Sequence, residues 1–495
     1  MSSLSPFRSP SARHRVALPL LGLALVACGA RKPAKPPARA AGPVHEQKST
    51  VAERQSVAIT VYNQNFGLVR EIRDLDLGTG RVSLEYRDVS AHIQPETVHI
   101  RSLASPDALN VLEQNYRYDL LSPDKLLEKY VGKKVKLYRW NEKTGRDEVT
   151  DAEILSVEGG QPVVRINGEV TYGYPGRFAF PKVPDNLIAK PTLVWLLGSS
   201  AAHQKVEVTY LTKNLSWSAD YVLVINKDDT RGDLNGWVTL SNTSGTDYDN
   251  AKLKLVAGDV QRVAQVNTVL AHAEAQAAGS PAPPQFKEEG FFEYHLYTLD
   301  RPTTLLDKEQ KQVSLLEAHD IAIKKTLIFY GAARYYRGRY GQVVSNQKVG
   351  VYLDIKNEKK SHMGMPLPKG TVRVYKADSS GQTEFIGEDA IDHTPRDEKI
   401  RIKMGDAFDV VGDRKQTDWK TYGMCTYETA WQIDLRNHKD KTEQVEVYEP
   451  IGGDWEILSS NYPAQKKDAH TFTFTVNVPA NGKTKITYRV RLRWC

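Results

Sequence analysis

The stretch YLTKNLSWSADYVLVI, residues 210–225, decides the fold class of this chain. Apolar and polar side chains alternate along most of it, which is the pattern of a β-strand with one face buried and the other in water. Asn214 and Asp220 are residue types whose side chains tie turns. The stretch therefore predicts strands joined by a turn.

The same alternation recurs along the rest of the chain. Asn-Gly pairs, which suit tight hairpin turns, occur at 167–168, 235–236 and 481–482. Strands and turns without alternating helices predict a mainly β fold of antiparallel β-sandwich domains with few short helices. Representative strands are SVAITVYN (56–63), VSLEYRDV (82–89), KVKLYRW (134–140), TAWQIDLRN (429–437) and TKITYRVRLRW (484–494).

Composition divides this β-rich body into two domains. We predict an amino-terminal β domain at 56–260 and a carboxy-terminal β-sandwich at 291–495, joined by an Ala/Pro-rich linker or exposed helix at 261–290. Short strands with Gly-rich turns at about 120–185 predict a small barrel-like β insert. The insert opens with a short helix that has Ser122 as its cap and Pro123 in its first turn.

The first residues resemble a bacterial lipoprotein leader. Residues 1–27 carry three arginines and no acid, then a twelve-residue apolar run that is too short to span a bilayer. The run ends in Leu-Val-Ala before Cys28, which predicts cleavage there and lipidation of Cys28, including palmitate-type acyl chains. The alternative is an ordinary secretory signal with a chance cysteine. Because Gly29 stands where a retention signal usually has Asp, we expect the outer membrane, with the body facing the periplasm or the cell surface.

Residues 28–55 are rich in Pro, Ala and Lys/Arg, which predicts a semi-extended tether. The formal net charge of the chain is +7, of which the leader carries three and the tether four. The body is therefore balanced, and nothing in its charge predicts nucleic-acid binding. A disulfide between Cys425 and Cys495 is possible in an oxidising compartment, although their separation decides it.

Motifs that would indicate an enzyme, such as HExxH, GxSxG or a Walker loop, are absent from the sequence. One histidine, His393, lies beside Asp392, Asp397 and Glu398, and the turn with Asp406 and Asp409 follows. These groups are candidates for a hydrolytic or metal site. A solvated loop explains the same residues, because a single imidazole lacks the partner that most catalytic zinc sites use. We predict no cofactor and no bound metal.

Two aromatic segments are candidate interaction surfaces. Asn214 and Trp217 fit a sugar-binding ledge, and the alternative is that Trp217 fills the core. The segment IFYGAARYYRGRY, residues 328–340, interleaves tyrosine with arginine, as interfaces do, and an ordinary strand with outward arginines is the alternative. Its candidate residues are Tyr330, Arg334, Tyr335, Tyr336, Arg337 and Tyr340.

Several long strings, among them LSNTSGTDYDNAKLKLVAGDV, YTLDRPTTLLDKEQKQVSLL and AIDHTPRDEKIRIKMGDAFDV, resemble the bacterial domain of unknown function 4139 family, whose relatives include mucoidy-inhibitor-like proteins. The resemblance covers about 56–494 and implies a β-rich envelope protein, without an agreed activity or catalytic residues. We expect a non-enzymatic, membrane-anchored envelope lipoprotein that binds or scaffolds an envelope protein or glycan. The alternative is a hydrolase of envelope polymer with its site near His393.

Overall fold

The computed structural model describes residues 43–159, 161–184, 187–258, 260–262, 285–361 and 363–494. Strands account for 66% of the described residues and helices for 5%, which confirms the mainly β fold class. The predicted leader, Cys28, most of the tether, most of the linker and Cys495 lie outside the described residues. From Val44 onward the chain forms one compact unit.

Most of the longer strands before residue 258 alternate more and less buried positions, as their sequences predict. They are β1 (Val44–Ser49), β2 (Arg54–Tyr62), β3 (Phe66–Asp76), β4 (Gly80–Arg87), β5 (His99–Ser102), β6 (Leu109–Arg117), β7 (Lys134–Asn141), β8 (Arg146–Ser156), β9 (Val163–Ile166), β10 (Glu169–Tyr172), β11 (Arg177–Ala179), β12 (Thr192–Ser199), β13 (His203–Lys213), β14 (Leu215–Ile225), β15 (Arg231–Asn242) and β16 (Tyr248–Ala257).

The strands after residue 285 include three that are unusually long, β20, β21 and β24. They are β17 (Phe286–Phe291), β18 (Tyr294–Leu299), β19 (Thr303–Leu305), β20 (Glu309–Tyr330), β21 (Gln342–Lys356), β22 (Gly370–Ala377), β23 (Thr383–Ile391), β24 (Lys399–Tyr422), β25 (Thr426–Asn437), β26 (Glu443–Pro450), β27 (Asp454–Ser460), β28 (Ala464–Asp468), β29 (Thr471–Val478) and β30 (Gly482–Arg493).

Helices are short. The α-helix α1 (Pro123–Lys129) begins as predicted, because the Ser122 hydroxyl accepts a hydrogen bond from the Lys125 N–H and Pro123 occupies the first turn. Among the described residues, no helix has the length and apolarity that a bilayer span requires. Single 3-10 turns occur at Val51–Glu53, Pro95–Thr97, Pro106–Ala108, Ala333–Tyr336 and Lys359–Ser361.

The first hydrophobic core lies between three sheets. A four-stranded sheet has the order β1-β4-β12-β6, and an eight-stranded sheet has the order β17-β18-β16-β2-β3-β13-β5, with β19 against β16. Gly67 and Arg73 are on one face of β3, since they are six residues apart in a regular strand. Gly67 faces Leu215 of β14, which belongs to the third sheet, a thirteen-stranded one. Arg73 stacks on Tyr86 of β4, which belongs to the four-stranded sheet. One face of the eight-stranded sheet therefore packs on both neighbouring sheets.

The second core lies within a thirteen-stranded sheet that also closes the first core. Its main order is β23-β22-β14-β15-β20-β21-β24-β25-β30-β27, and β26, β29 and β28 branch from β20. Three strands supply both cores. On β24, Ile400 and Ile402 belong to the first core and Val410 to the second. The two sandwiches are therefore joined through continuous strands and not through a linker.

This sharing corrects the predicted domain boundaries. Strands β14 and β15 precede residue 260 but pair with strands of the carboxy-terminal half, and β18 follows the predicted linker but pairs with β16. The predicted linker at 261–290 ends early, because β17 begins at Phe286. The predicted tether likewise ends before residue 55, because β1 pairs in parallel with β4.

The insert forms a sheet of its own, in the order β10-β9-β8-β7-β11, around a separate small core. Only residues 173–176 connect its two edge strands, β10 and β11, so the sheet must curl to bring those edges near each other. The curled sheet is open, and in the described residues β10 and β11 are not paired. The predicted barrel-like insert is thus an open, curled antiparallel sheet.

Candidate interaction site

The tyrosine- and arginine-rich segment divides between core and surface. Strand β20 ends at Tyr330, and the 3-10 turn that follows directs Tyr335 and Tyr336 inward, where they are 9% and 2% exposed. The Tyr336 hydroxyl donates to Glu449 at 2.7 Å, and burial raises the pKa of Tyr336 well above its ordinary value. The prediction that Tyr335 and Tyr336 form an interaction surface is therefore wrong, because both rings fill the second core.

Around these rings lies a buried polar centre. Arg414 Nη1 donates to both carboxylate oxygens of Glu449, and neither side chain is exposed. The Tyr336 and Tyr488 hydroxyls are 2.7 Å apart beside the same carboxylate. Gly331 is needed here, because a Cβ atom at that position would lie 2.6 Å from Glu449 Oε2.

The remaining predicted residues of the segment are exposed. Arg334, Arg337 and Tyr340 lie on the surface, and the Tyr340 hydroxyl donates to the Arg334 carbonyl at 3.2 Å. Tyr330, at the end of β20, is 38% exposed. Among the predicted residues of this segment, Tyr330 lines a cleft, which we call the junction cleft.

This junction cleft has a volume of about 370 Å³ and lies where β20, β21 and β24 pass from one core to the other. Gly350 in its floor coincides with register shifts between β21 and β24, which open the surface locally. Its lining residues are Ile328, Tyr330, Gln347, Lys348, Gly350, Tyr352, Lys403 and Asp406.

Aromatic rings form one wall of the junction cleft. The centroid of the Tyr330 ring lies 6.2 Å from that of Tyr352 and 5.3 Å from that of Tyr448. Burial and the neighbouring Tyr330 raise the pKa of Tyr352, so its hydroxyl stays protonated and able to donate at neutral pH. The wall therefore offers ring faces together with the neutral hydroxyl of Tyr352.

Cations surround these rings. The guanidinium of Arg401 lies 5.7 Å from the Tyr352 centroid, and the ammonium of Lys467 lies 4.2 Å from the Tyr448 centroid. Arg401 is neutralised by Asp354, whereas Lys348 and Lys403 form no salt bridge within the described part of the chain. With Asp406 as the carboxylate of the lining, the junction cleft carries an excess of positive charge.

The other predicted aromatic surface is not assembled. Trp217 is buried, and its Nε1 donates to the Val256 carbonyl at 3.3 Å. Asn214 lies in the turn between β13 and β14, where its φ is 64°. The structure therefore agrees with the alternative interpretation, in which Trp217 packs in the core and Asn214 forms a turn.

His393 lies in the loop between β23 and β24. Its Nδ1 accepts a hydrogen bond from the Lys369 N–H at 3.1 Å, and its Nε2 lies 3.4 Å from Asn63 Nδ2. The loop is gathered around Asn357 at the Lys399 end of β24. Asp406 is seven residues further along that strand, roughly 23 Å at the usual rise of 3.3 Å per residue. Asp406 and Asp409, which is further still along β24, therefore do not converge on the loop that holds His393.

No group of three or more His, Cys, Asp or Glu side chains in the described ranges is arranged to hold a metal ion. Cys425 is disulfide-bonded, and the Trp494 N–H donates to its carbonyl at 3.0 Å. Its predicted partner, Cys495, lies outside the described residues, so the pairing stays a prediction.

Sequence reasoning missed Tyr352, Tyr448, Lys348 and Lys403. Tyr352 and Tyr448 each lie in an alternating strand, VYLDI and VEVYE, where an aromatic residue is ordinary. They meet Tyr330 only because β20 pairs with β21 on one side and with β26 on the other. The signal for this site is strand pairing, which alternation does not encode.

A family model described as "Domain of unknown function (DUF4139)" matches residues 206–495, which is more than half of the chain. No curated protein matches the chain. The matched range contains the whole junction cleft but excludes the insert.

Proposed function

The chain belongs to the DUF4139 family, and from this premise we propose that it is a non-enzymatic binding protein of the bacterial cell envelope, anchored by lipid on Cys28. The arginine-containing leader and the apolar run before Cys28 support the anchor, and Gly29, in place of the Asp of a retention signal, supports an outer-membrane location. The tether after Cys28 then holds the folded body, which begins at β1, away from the lipid surface.

The observation that carries the binding role is the junction cleft. Two tyrosine rings, Tyr330 and Tyr352, line a concave surface on the strands shared by both cores, and the buried Tyr448 packs against Tyr330. Two lysines of the same lining have no salt bridge among the described residues. Tyrosine supplies contact area at low entropic cost, and clefts of this size hold a few side chains or one sugar unit.

The charge of the junction cleft selects the partner. Lys348 and Lys403 outweigh Asp406, so an envelope protein or glycan that presents an anionic group is favoured. The hydrolase alternative has no comparable support, because His393 is held by Lys369 and Asn63, away from Asp406 and Asp409.

The test combines photocrosslinking with charge reversal in intact cells. The full chain with its Cys28 anchor carries a photoreactive residue in place of Gln347, and its adducts are compared with those of the Lys348→Glu/Lys403→Glu variant. A matched control, Lys483→Glu/Lys485→Glu, reverses two exposed charges on β30, which lies three strands away from β21 in the same sheet and does not line the cleft. We expect one specific adduct that is lost on reversal in the cleft and kept in the control.

An adduct that survives reversal in the cleft, or equal losses in both variants, would reject the junction cleft as the binding surface. The anchor is tested separately by fractionation of Cys28→Ala, which should move from the membrane to the soluble envelope fraction. Retention of that variant on the membrane would reject lipidation of Cys28.

A further inference from the structure

The insert carries a second surface that the family match does not include. On β7, Val135 and Leu137 point into the small core, so alternation directs Tyr138 and Trp140 to the outer face. Trp140 is 60% exposed. The small core is complete without this ring, and its exposure therefore has no packing explanation.

Cross-strand register places charged groups beside both rings. Arg177 of β11 is directly opposite Tyr138, and Asp147 of β8 is directly opposite Trp140. Arg177 stacks over the Tyr138 ring at 5.3 Å and pairs with Asp147 at 2.5 Å. Gly176 allows this approach, because a Cβ atom there would lie 2.4 Å from the Tyr138 carbonyl oxygen.

Together these side chains form a cleft on the insert, which we call the insert cleft, with a volume of about 660 Å³. That volume falls within the range of small-molecule sites, roughly 300–1,000 Å³. The lining residues are Tyr138, Arg139, Trp140, Glu142, Asp147, Pro175, Gly176 and Arg177.

The chemistry of the insert cleft fits a sugar. The apolar C–H face of a pyranose stacks on an exposed indole ring, while hydroxyl groups both donate to carboxylates and accept from guanidinium groups. Asp147 and Glu142 supply the acceptors, and Arg139 and Arg177 supply the donors. Two positive and two negative groups cancel, so nothing here favours a polyanion such as a nucleic acid or a phosphorylated glycan.

We propose that the insert cleft binds a neutral saccharide, with one sugar ring stacked on Trp140 and its hydroxyl groups bonded by Asp147, Glu142 and Arg139. This site goes beyond the proposed function, because it lies on a different sheet from the junction cleft and takes an uncharged ligand. One anchored chain would then bind a saccharide at the insert cleft and an anionic partner at the junction cleft at the same time.

The experiment is a binding titration of the purified full chain, followed by tryptophan fluorescence and calorimetry. The probes are chitotriose, cellotriose and maltotriose as neutral sugars, with a heparin hexasaccharide as the anionic comparison. We expect a dissociation constant in the micromolar to millimolar range for a neutral probe and a blue shift of the Trp140 emission. Trp140→Ala should weaken binding at least tenfold, and Trp140→Tyr should restore part of it.

Two controls separate this site from the rest of the molecule. Phe292→Ala removes an even more exposed ring from the turn between β17 and β18 and should leave the affinity unchanged. Tyr330→Ala, which affects the junction cleft, should also leave it unchanged. The proposal is overturned if no neutral probe binds, if heparin alone binds, or if folded Trp140→Ala binds as tightly as the parent chain.

Discussion

Arg414 and Glu449 form a fully buried ion pair in the second core, with Arg414 Nη1 at 2.5 and 2.6 Å from the two carboxylate oxygens. The Nε and Nη2 atoms of Arg414 are also buried, and within the described residues they have no hydrogen-bond partner. Burying a charge is costly unless it is paired, so each member of this pair depends on the other.

Glu449→Gln should therefore be strongly destabilising. It removes the charge that compensates Arg414 and keeps the volume, and breaking a buried pair in this way costs about 3–5 kcal/mol of the free energy of unfolding. Urea unfolding followed by far-UV circular dichroism measures the change.

The control for Glu449→Gln is an exposed pair. Lys125 and Glu128 on α1 are both well exposed, so Glu128→Gln should leave the urea midpoint unchanged within error. If Glu449→Gln shifted the midpoint no more than Glu128→Gln, the pair in the second core would not be desolvated as described.

Gly412→Ala should destabilise the second core by overpacking. A Cβ atom at Gly412 would lie 2.7 Å from the Phe329 ring and 2.9 Å from Leu435, and both neighbours are fully buried. Overpacking of this kind costs about 1–3 kcal/mol. Thermal unfolding measures the loss, and Gly290→Ala, whose Cβ would meet no atom within 4 Å, is the matched substitution with no expected loss. Equal stability of the two variants would contradict the close packing of β20 against β24.

Asp354 should make the stability of the protein sensitive to acid. Burial raises the pKa of Asp354, but hydrogen bonds from Arg401 and Lys399 outweigh it, so the pKa lies below its ordinary value. The charged form is then favoured by folding, and its stabilisation is present above the unfolded pKa of about 3.9 and lost as the pH falls through the folded pKa. Asp354→Asn should be less stable than the parent chain at pH 7, and the difference should shrink below about pH 4.

Urea midpoints measured between pH 7 and pH 3 test this dependence. Asp249→Asn alters an exposed carboxylate in β16, and its urea midpoint should change with pH as that of the parent chain does over the whole range. A constant difference between Asp354→Asn and the parent chain down to pH 3 would contradict the assigned pKa direction.

Alternation predicted the strands but not their partners. In β14 it marked the buried face correctly, because one face of that strand is apolar. It could not say which core that face enters, and β20 passes from the first core at Ile323 to the second at Leu327. Domain boundaries drawn from composition therefore failed where strands are shared.

Turn chemistry was informative only in part. Asn167 and Gly168 both have positive φ and close the β9–β10 hairpin as predicted. Gly236, by contrast, lies inside β15, where its missing side chain makes room for Tyr221 and Leu316. A glycine required for close packing and a glycine required for a turn look alike in sequence. Tyr336 and Tyr330 differ in the same way, since composition does not tell a buried ring from a surface one.

The insert should behave as an independent folding unit. Its core residues, among them Leu137, Ile154 and Val164, are shared with neither of the two large cores. Ile154→Ala should cost about 2–5 kcal/mol of the free energy of unfolding, and that loss should stay within the insert.

Hydrogen exchange followed by mass spectrometry should show faster exchange in β7–β9 and unchanged protection in β25 and β30. The matched substitution Ile433→Ala, in the second core, should instead speed exchange in β25 and β30 and leave the insert protected. Faster exchange throughout the chain in Ile154→Ala would contradict this prediction. It would mean that unfolding of the insert also destabilises the sandwiches, although their cores share no residue with the core of the insert.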